Sequence, residues 1–401
     1  MLYITYDGLT DPLGRSQVLP YLTGLAGRGH RITVLSCEKK ARFANGADAV
    51  RSLCAEAGIE WQAIPYLNRP PVVAHGYTVA RLIRTATGLH RRRRFDIAHC
   101  RSYVAAMAGL HLKRRFGVRL LFDMRGFWPE EKVEGGSWPQ SNAVYRGVYR
   151  YLKRVEAKLL RGADHIVSLT EEGKRVMSAW RAVERAEERI TVIPCCVDFD
   201  HFPLPAPDSR AEARRLLGID PEARVLGYLG SLGAWYMRDE MLDFFRVYGQ
   251  RHPGAVFLFV TPDSEASLKA AATARGVPAA AIIAREATRE EVPKLMAAPD
   301  LGLFFIRPVS SKAASSPTKM GEMLALGLPT VANSGVGDVA ALLEATGAGV
   351  AVSEFDDCAY ARAIDAVEAI DLPREEIRRR ALPWFNVDLG IDRYDGIYRS
   401  L

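Results

Sequence analysis

Short apolar runs alternate with longer amphipathic stretches along the chain. Leu2–Tyr6, Arg31–Ser36, Ile59–Ile64, Asp96–Cys100, Arg119–Asp123, His165–Leu169 and Ile190–Ile193 read as strands. Each is brief, apolar throughout and bounded by turn residues, as strands covered on both faces are. The stretches between them carry helical spacing, as near Gln17–Gly27 and over Ala143–Arg161. This alternation predicts a parallel, doubly wound sheet with helices on both sides. Around Phe199–Pro207 it breaks into an extended connector containing Pro203, Pro205 and Pro207, as expected of a linker. A second series follows: strands at Val225–Leu229, Val256–Val260, Ala281–Ala284, Leu301–Phe305 and Thr330–Ala332, a helix near Met237–Gln250, one after Pro317, and helices to the end. The expected domains are 1–202 and 203–384, with 385–401 crossing back to the first. Two such domains would face a central cleft at the carboxyl ends of their strands, where open α/β sheets bind ligands.

Composition narrows this reading. No apolar run is long enough to span a bilayer, and the chain enters a strand at Leu2 without a signal-peptide pattern, so a cytoplasmic location is expected. The six cysteines have no metal-ligand spacing, and buried reduced thiols are the default. From Arg81 to Arg119 there are eleven Lys and Arg against one acid, Asp96. Val79, Leu82, Ile83, Ala86 and Leu89 have helical spacing and lead into Arg91–Arg94. Val79–Arg94 is thus a basic amphipathic helix. It suits an anionic membrane surface at the inner face or a solvated face of a packed helix. No recognition helix or RNA-binding motif is present, so nucleic acid is not expected as a partner.

The most informative stretch is Ser315–Pro329. Ser316 suits an N-cap and Pro317 a first helical residue. A helix start there would attract a phosphate, Lys319 adds positive charge in the first turn, and Glu322 follows on the same face. Amides and ammonium on a diphosphate, with a carboxylate one turn on for ribose hydroxyls, suit a nucleotide; an ordinary capped helix is the plainer alternative. Glycine loops follow the first strand of each half, Gly8 to Gly14 and Gly230-Ser231-Leu232-Gly233, and would open into the cleft. Neither matches a dinucleotide fingerprint or an ATP P-loop. Asp123 and Arg125 end a predicted strand and Arg101 ends another. With Trp128 and Glu130 they could meet an acceptor or a leaving phosphate. A strand-end ion pair is the alternative for Asp123 and Arg125, and core packing for Trp128.

Four segments carry a family resemblance: Tyr6–Gln17 with Arg28-Gly29-His30, Asp123–Glu130, Ile193–Asp198, and above all Ser311–Pro329. Over nearly its whole length the chain resembles the retaining GT-B glycosyltransferases of family four (glycosyl transferases group 1). The resemblance implies a nucleotide-sugar donor on the second domain, a glycan or lipid-linked acceptor on the first, and a last helix within Trp384–Leu401 that crosses back. Glu322 matches the second glutamate of the family's Glu-x7-Glu motif, expected on the donor ribose. The first would fall at Ala314, a departure that leaves the donor sugar open. Ser316, Pro317, Thr318 and Lys319 would meet the diphosphate, with Gly14, Gly230, Ser231, Gly233 and Lys312 as further donor contacts and Arg307 as another cation. The family's Arg-x4-Lys pair is not evident; Arg238 is a candidate substitute. Lys319, Arg125 and Asp123 are the catalytic candidates, and Arg101, Trp128 and Glu130 the acceptor candidates. No carboxylate pair suits double displacement, so front-face transfer with electrostatic stabilisation of the departing phosphate is expected. No cofactor and no Mg²⁺ or Mn²⁺ is expected. A non-catalytic nucleotide-sugar binder and a nucleotide-sugar 2-epimerase remain as alternatives.

Overall fold

The computed structural model describes residues 1–67, 71–183 and 187–401. Contacts divide them into two units. One comprises Met1–Cys196, Ala313–Ser315 and Val387–Leu401; the other Val197–Lys312 and Ser316–Asn386.

The first unit holds a seven-stranded parallel sheet: β1 (Leu2–Thr5), β2 (Thr33–Glu38), β3 (Glu60–Pro65), β4 (Ile97–Arg101), β5 (Arg119–Asp123), β6 (His165–Ser168) and β7 (Ile190–Val192), in the order β3-β2-β1-β4-β5-β6-β7. β1 is wholly buried, as its unbroken apolar run requires, whereas the edge strand β3 alternates exposed and covered positions. The second unit holds a six-stranded parallel sheet: β8 (Val225–Leu229), β9 (Val256–Val260), β10 (Ile282–Arg285), β11 (Leu301–Leu303), β12 (Thr330–Asn333) and β13 (Gly349–Val352), in the order β10-β9-β8-β11-β12-β13. Both orders reverse at their first strand, the switch point beside which such sheets hold ligands.

Several elements differ from the sequence reading. The helix expected near Gln17–Gly27 is two, Pro12–Gln17 and Leu19–Gly27. β13 was not expected, because its Gly349-Val350-Ala351-Val352 run is short, glycine-flanked and only partly covered. The helix after the diphosphate motif starts at Thr318, one residue later than expected, and Pro317 occupies the cap position with extended backbone and no side-chain cap bond. Five cysteines are buried, but Cys358 is exposed. Trp384 lies in the last turn of the helix Arg374–Phe385 in the second unit, and the helix Val387–Ser400 belongs to the first.

The first unit ends at Cys196 rather than at 202, and the proline-rich connector belongs wholly to the second. Val197 N donates to Phe385 O (2.6 Å). Arg378 donates to the carbonyls of Phe199, Phe202 and Ala325, with its guanidinium 4.8 Å from the Phe199 ring. One side chain therefore satisfies three partly buried carbonyls, two in the segment that leads into the connector and one at the end of the helix Thr318–Ala325. Arg378→Met should destabilise the protein by about 2 kcal/mol; urea denaturation measures this, and an unchanged midpoint would contradict the anchoring role.

Candidate functional site

In the second unit, β8 runs into Gly230, whose φ of +98° is open to glycine without strain. Tyr228, two residues earlier, is fully buried and donates its hydroxyl to Ser231 O (2.8 Å). From the first turn of the helix Thr318–Ala325, Lys319 reaches under this glycine turn. Its Nζ donates to Tyr228 Oη (2.8 Å) and lies 4.0 Å and 3.5 Å from the ring centres of Tyr228 and Tyr236. A Cβ on Gly230 would stand 3.5 Å from that Nζ. Lys319 is 5 % exposed and makes no ion pair among the described residues. Burial pushes its ammonium pKa well down, against the pull of Glu322 and Asp263.

A second lysine also faces an aromatic ring. Lys312, also buried, places its Nζ 3.9 Å from the Trp235 ring. Glu322 is half-buried; burial raises its carboxyl pKa, while Arg289 and Lys319 pull it down. Asp263 ties the turn from the next strand, accepting from Leu232 N (2.7 Å) and Thr261 Oγ1 (2.6 Å). A cavity of about 850 Å³ opens beside the turn, lined by Gly233, Trp235, Tyr236, Arg238, Asp263 and Arg307 among others; its size suits a small-molecule ligand. Arg238 is engaged with Asp239 (2.8 Å).

The structure thus gathers Gly230, Ser231, Lys319 and Glu322, with Lys312 and Gly233 bordering the same turn and Ser316, Pro317 and Thr318 at the helix start. Trp235 and Tyr236, which shape both lysine sites, were missed; an aromatic pair directly after a glycine loop was the available signal. The expectation of no metal rested on the absence of an Asp-x-Asp pair typical of metal-dependent sugar transferases, but Asp198-Phe199-Asp200 has that spacing. Here Asp198 Oδ1 accepts from the amides of Asp200 and His201 (both 3.1 Å), capping a turn.

The first unit arranges its candidates differently. In the loop from Gly8 to Gly14, the amides of Leu9 and Thr10 go to the buried carboxylate of Glu38 (2.7 and 3.3 Å). A Cβ on Gly14 would come 2.1 Å from Gly8 O. Gly14 therefore serves the close packing of its own loop, and an internal carboxylate takes the amides expected to meet a donor. Asp123 is 1 % exposed and sits among Arg125 (3.6 Å), His99 (3.6 Å) and Arg101 (3.9 Å). Arg125 adopts a left-handed φ of +59° and directs Nη2 to Cys195 Sγ (3.2 Å). Arg101 also faces Asp7 (3.5 Å). These three charges form an interior network, the ion-pair alternative, with little surface for an acceptor. Glu130 is bridged by Lys153 (2.7 Å) and Tyr149 (3.2 Å). Trp128 is half-buried between Trp138, Tyr103 and His75, at ring distances of 5.6, 5.8 and 6.2 Å. Ala314, where the family motif has its first glutamate, is buried in the core of this unit. A Cβ on Gly173 would lie 3.0 Å from its Cα, and Thr170 Oγ1 donates to Ala313 O (2.6 Å). A glutamate there would have to displace that packing.

The Asp123 network has a pH signature. Burial raises its carboxyl pKa, but Arg125, His99 and Arg101 outweigh this and pull it down from 3.8 to about 2. A depressed carboxylate contributes stability above its unfolded value and loses it as pH falls through the folded one. The protein should lose about 2 kcal/mol between pH ~4 and pH ~2 through this group. Asp123→Asn should be less stable at neutral pH and lack that component of the acid loss; denaturant midpoints across pH would show it.

Comparison with known proteins agrees with this architecture. The Glycosyltransferase Family 4 description matches residues 18–201, and the Glycosyl transferases group 1 description matches residues 209–383. A D-inositol 3-phosphate glycosyltransferase of Actinosynnema mirum is 25% identical over 169 residues, 42% of this chain and 38% of that protein. The Thermobispora bispora protein of the same name is 28% identical over 152 residues, 37% of this chain and 32% of its own length. The chain thus spans about a third of the length of the curated relatives it matches. Among solved structures, Anabaena HepE in complex with UDP and glucose matches with a TM-score of 0.70 at 16% identity, covering 100% of this chain and 99% of that one. Sucrose-phosphate synthase from Thermosynechococcus elongatus matches with a TM-score of 0.73 at 16% identity, covering 100% and 98%. With both of its halves matched and the GT-B fold shared, the chain belongs to the family-four, group 1 glycosyltransferases.

Proposed function

We propose that this glycosyltransferase moves a sugar from a UDP- or GDP-linked donor to a glycan or lipid-linked acceptor, with retention and without a metal ion, in cell-surface polysaccharide assembly at the inner membrane face. The observation that carries the donor site is the buried Lys319 ammonium, held by a phenol and two aromatic rings with no carboxylate in an ion pair with it among the described residues. A buried cation of this kind is costly until an anion neutralises it. It lies under a glycine turn and at a helix start, both suited to phosphate oxygens. The crystallised complexes of HepE with UDP and UDP-glucose fit a nucleotide diphosphate here.

In this reading the first-turn amides of the helix Thr318–Ala325, the Ser316 and Thr318 hydroxyls and Lys319 hold the diphosphate. Lys312 supports the same charge, and Glu322 accepts from the ribose. As the bond to the anomeric carbon breaks, negative charge grows on the departing phosphate, which takes the acceptor proton. Lys319 stabilises that charge in a dry setting, where such a contact is worth most. Asp123, Arg125 and Arg101 act as an interior brace for the loop after β5 rather than as acceptor contacts. The acceptor role stays with the half-exposed Trp128.

Lys319→Met should lower kcat roughly 100-fold with the thermal midpoint unchanged or raised, since a buried charge is removed. Glu322→Gln should act mainly on donor KM, raising it roughly tenfold. Product would be measured with UDP- and GDP-sugars, with and without acceptor. A folded Lys319→Met enzyme with undiminished turnover would overturn the assignment. Acceptor-independent conversion of the donor would favour the epimerase, and tight donor binding without turnover the non-catalytic binder.

A further inference from the structure

The helix Pro71–Arg93 lies along the edge strand β3, and between them runs a groove of about 680 Å³. The strand contributes Gln62 and Ile64, and the helix Tyr77, Arg81, Arg84 and Arg92. Among the described residues no carboxylate lines it. Glu60, the acid at the start of β3, is taken by Arg93, and none of the three lining arginines is in an ion pair among the described residues. Gly88 lies among these arginines on the lining face, and a Cβ placed there would meet nothing within 4 Å. A glycine inside a helix costs about 1 kcal/mol against alanine; here it keeps open the space that the guanidinium groups surround.

We infer that this groove binds the phosphate headgroup of an anionic membrane lipid. Three guanidinium groups with no ion-pair partner among the described residues offer the forked donors that suit phosphate oxygens. The choice of a lipid over a free phosphate rests on the apolar part of the lining. Ile64, Ala63 and Leu89 line the same groove, and Tyr77 beside them is 54% exposed. A free phosphate gains nothing from such walls, whereas a glycerol backbone and the upper acyl chain do. Aromatic rings also favour the headgroup level of a bilayer. Arg91 and Arg94 are exposed at the end of the helix and add diffuse attraction. The inference deepens, and rests on, the membrane-facing part of the function proposed above; it is independent of the donor site.

The test is vesicle co-sedimentation with the full chain. The vesicles contain phosphatidylcholine with either phosphatidic acid or phosphatidylglycerol, matched in surface charge. Three variants are compared: Arg81→Gln with Arg84→Gln; Arg91→Gln with Arg94→Gln; and Gly88→Gln, which fills the groove without changing charge and favours the helix. The wild type should prefer phosphatidic acid. The groove pair should lose about 30-fold in vesicle affinity, Gly88→Gln should show a clear loss, and the end pair a smaller one. Equal losses in the two arginine pairs, with Gly88→Gln unaffected, would overturn the groove and leave a diffuse basic face. Calorimetric binding of inorganic phosphate alone, displacing the protein from vesicles, would overturn the lipid as its source. No vesicle binding at all would sink both the groove and the membrane-facing reading, while UDP or GDP binding would still report separately on the donor site.

Discussion

The second unit depends on one unfavourable interaction made tolerable: a lysine ammonium buried beneath the turn after β8. Burial of a cation without a carboxylate is destabilising unless its protons are used and its charge meets something polarisable. Tyr228 meets part of that need, accepting from Nζ while donating to Ser231 O. The faces of Tyr228 and Tyr236 supply more through cation–π attraction. The rest of the local structure follows. Gly230 takes a backbone conformation that closes the turn over Nζ, Asp263 fixes the turn from β9, and the helix from Thr318 must begin where its first side chains can reach β8. A ligand phosphate would complete what these contacts leave incomplete.

The two glycine loops show how similar sequence signals reach different ends. Gly230 leaves room beside a cation, whereas the loop from Gly8 to Gly14 is closed by Glu38, which already takes the amides a ligand would use. The missing motif glutamate has a comparable explanation. Ala314 belongs to the core of the first unit, against Gly173 and Thr170, so its small size is a packing requirement.

Much of the fold was legible because buried parallel strands leave continuous apolar runs: Arg119–Asp123, Val225–Leu229 and Val256–Val260 stand where their patterns placed them. β13 was not legible, since an edge strand of glycine, alanine and valine carries too little contrast. In the candidate site, Lys319 and Glu322 could be read from helix-start chemistry and spacing. Trp235 and Tyr236 left only a weak signal, an aromatic pair after a glycine loop, because their contribution is a ring face turned toward a lysine far away in sequence. Asp123 and Arg125 were legible as a charged pair at a strand end. Their burial was not, because it depends on His99, Cys195 and the distant Tyr394 and Tyr398 closing over them.

If a diphosphate completes the site of the buried Lys319 cation, the protonation of Lys319 reports on it directly. Burial disfavours its charged form in the free protein, and a bound polyanion would favour that form. Calorimetric titration with UDP and with GDP at alkaline pH, in two buffers of different ionisation enthalpy, measures protons taken up on binding. One nucleotide should bind with proton uptake, and the uptake should disappear in Lys319→Met. Binding without uptake, uptake retained in the variant, or failure of both nucleotides to bind would contradict that role for Lys319.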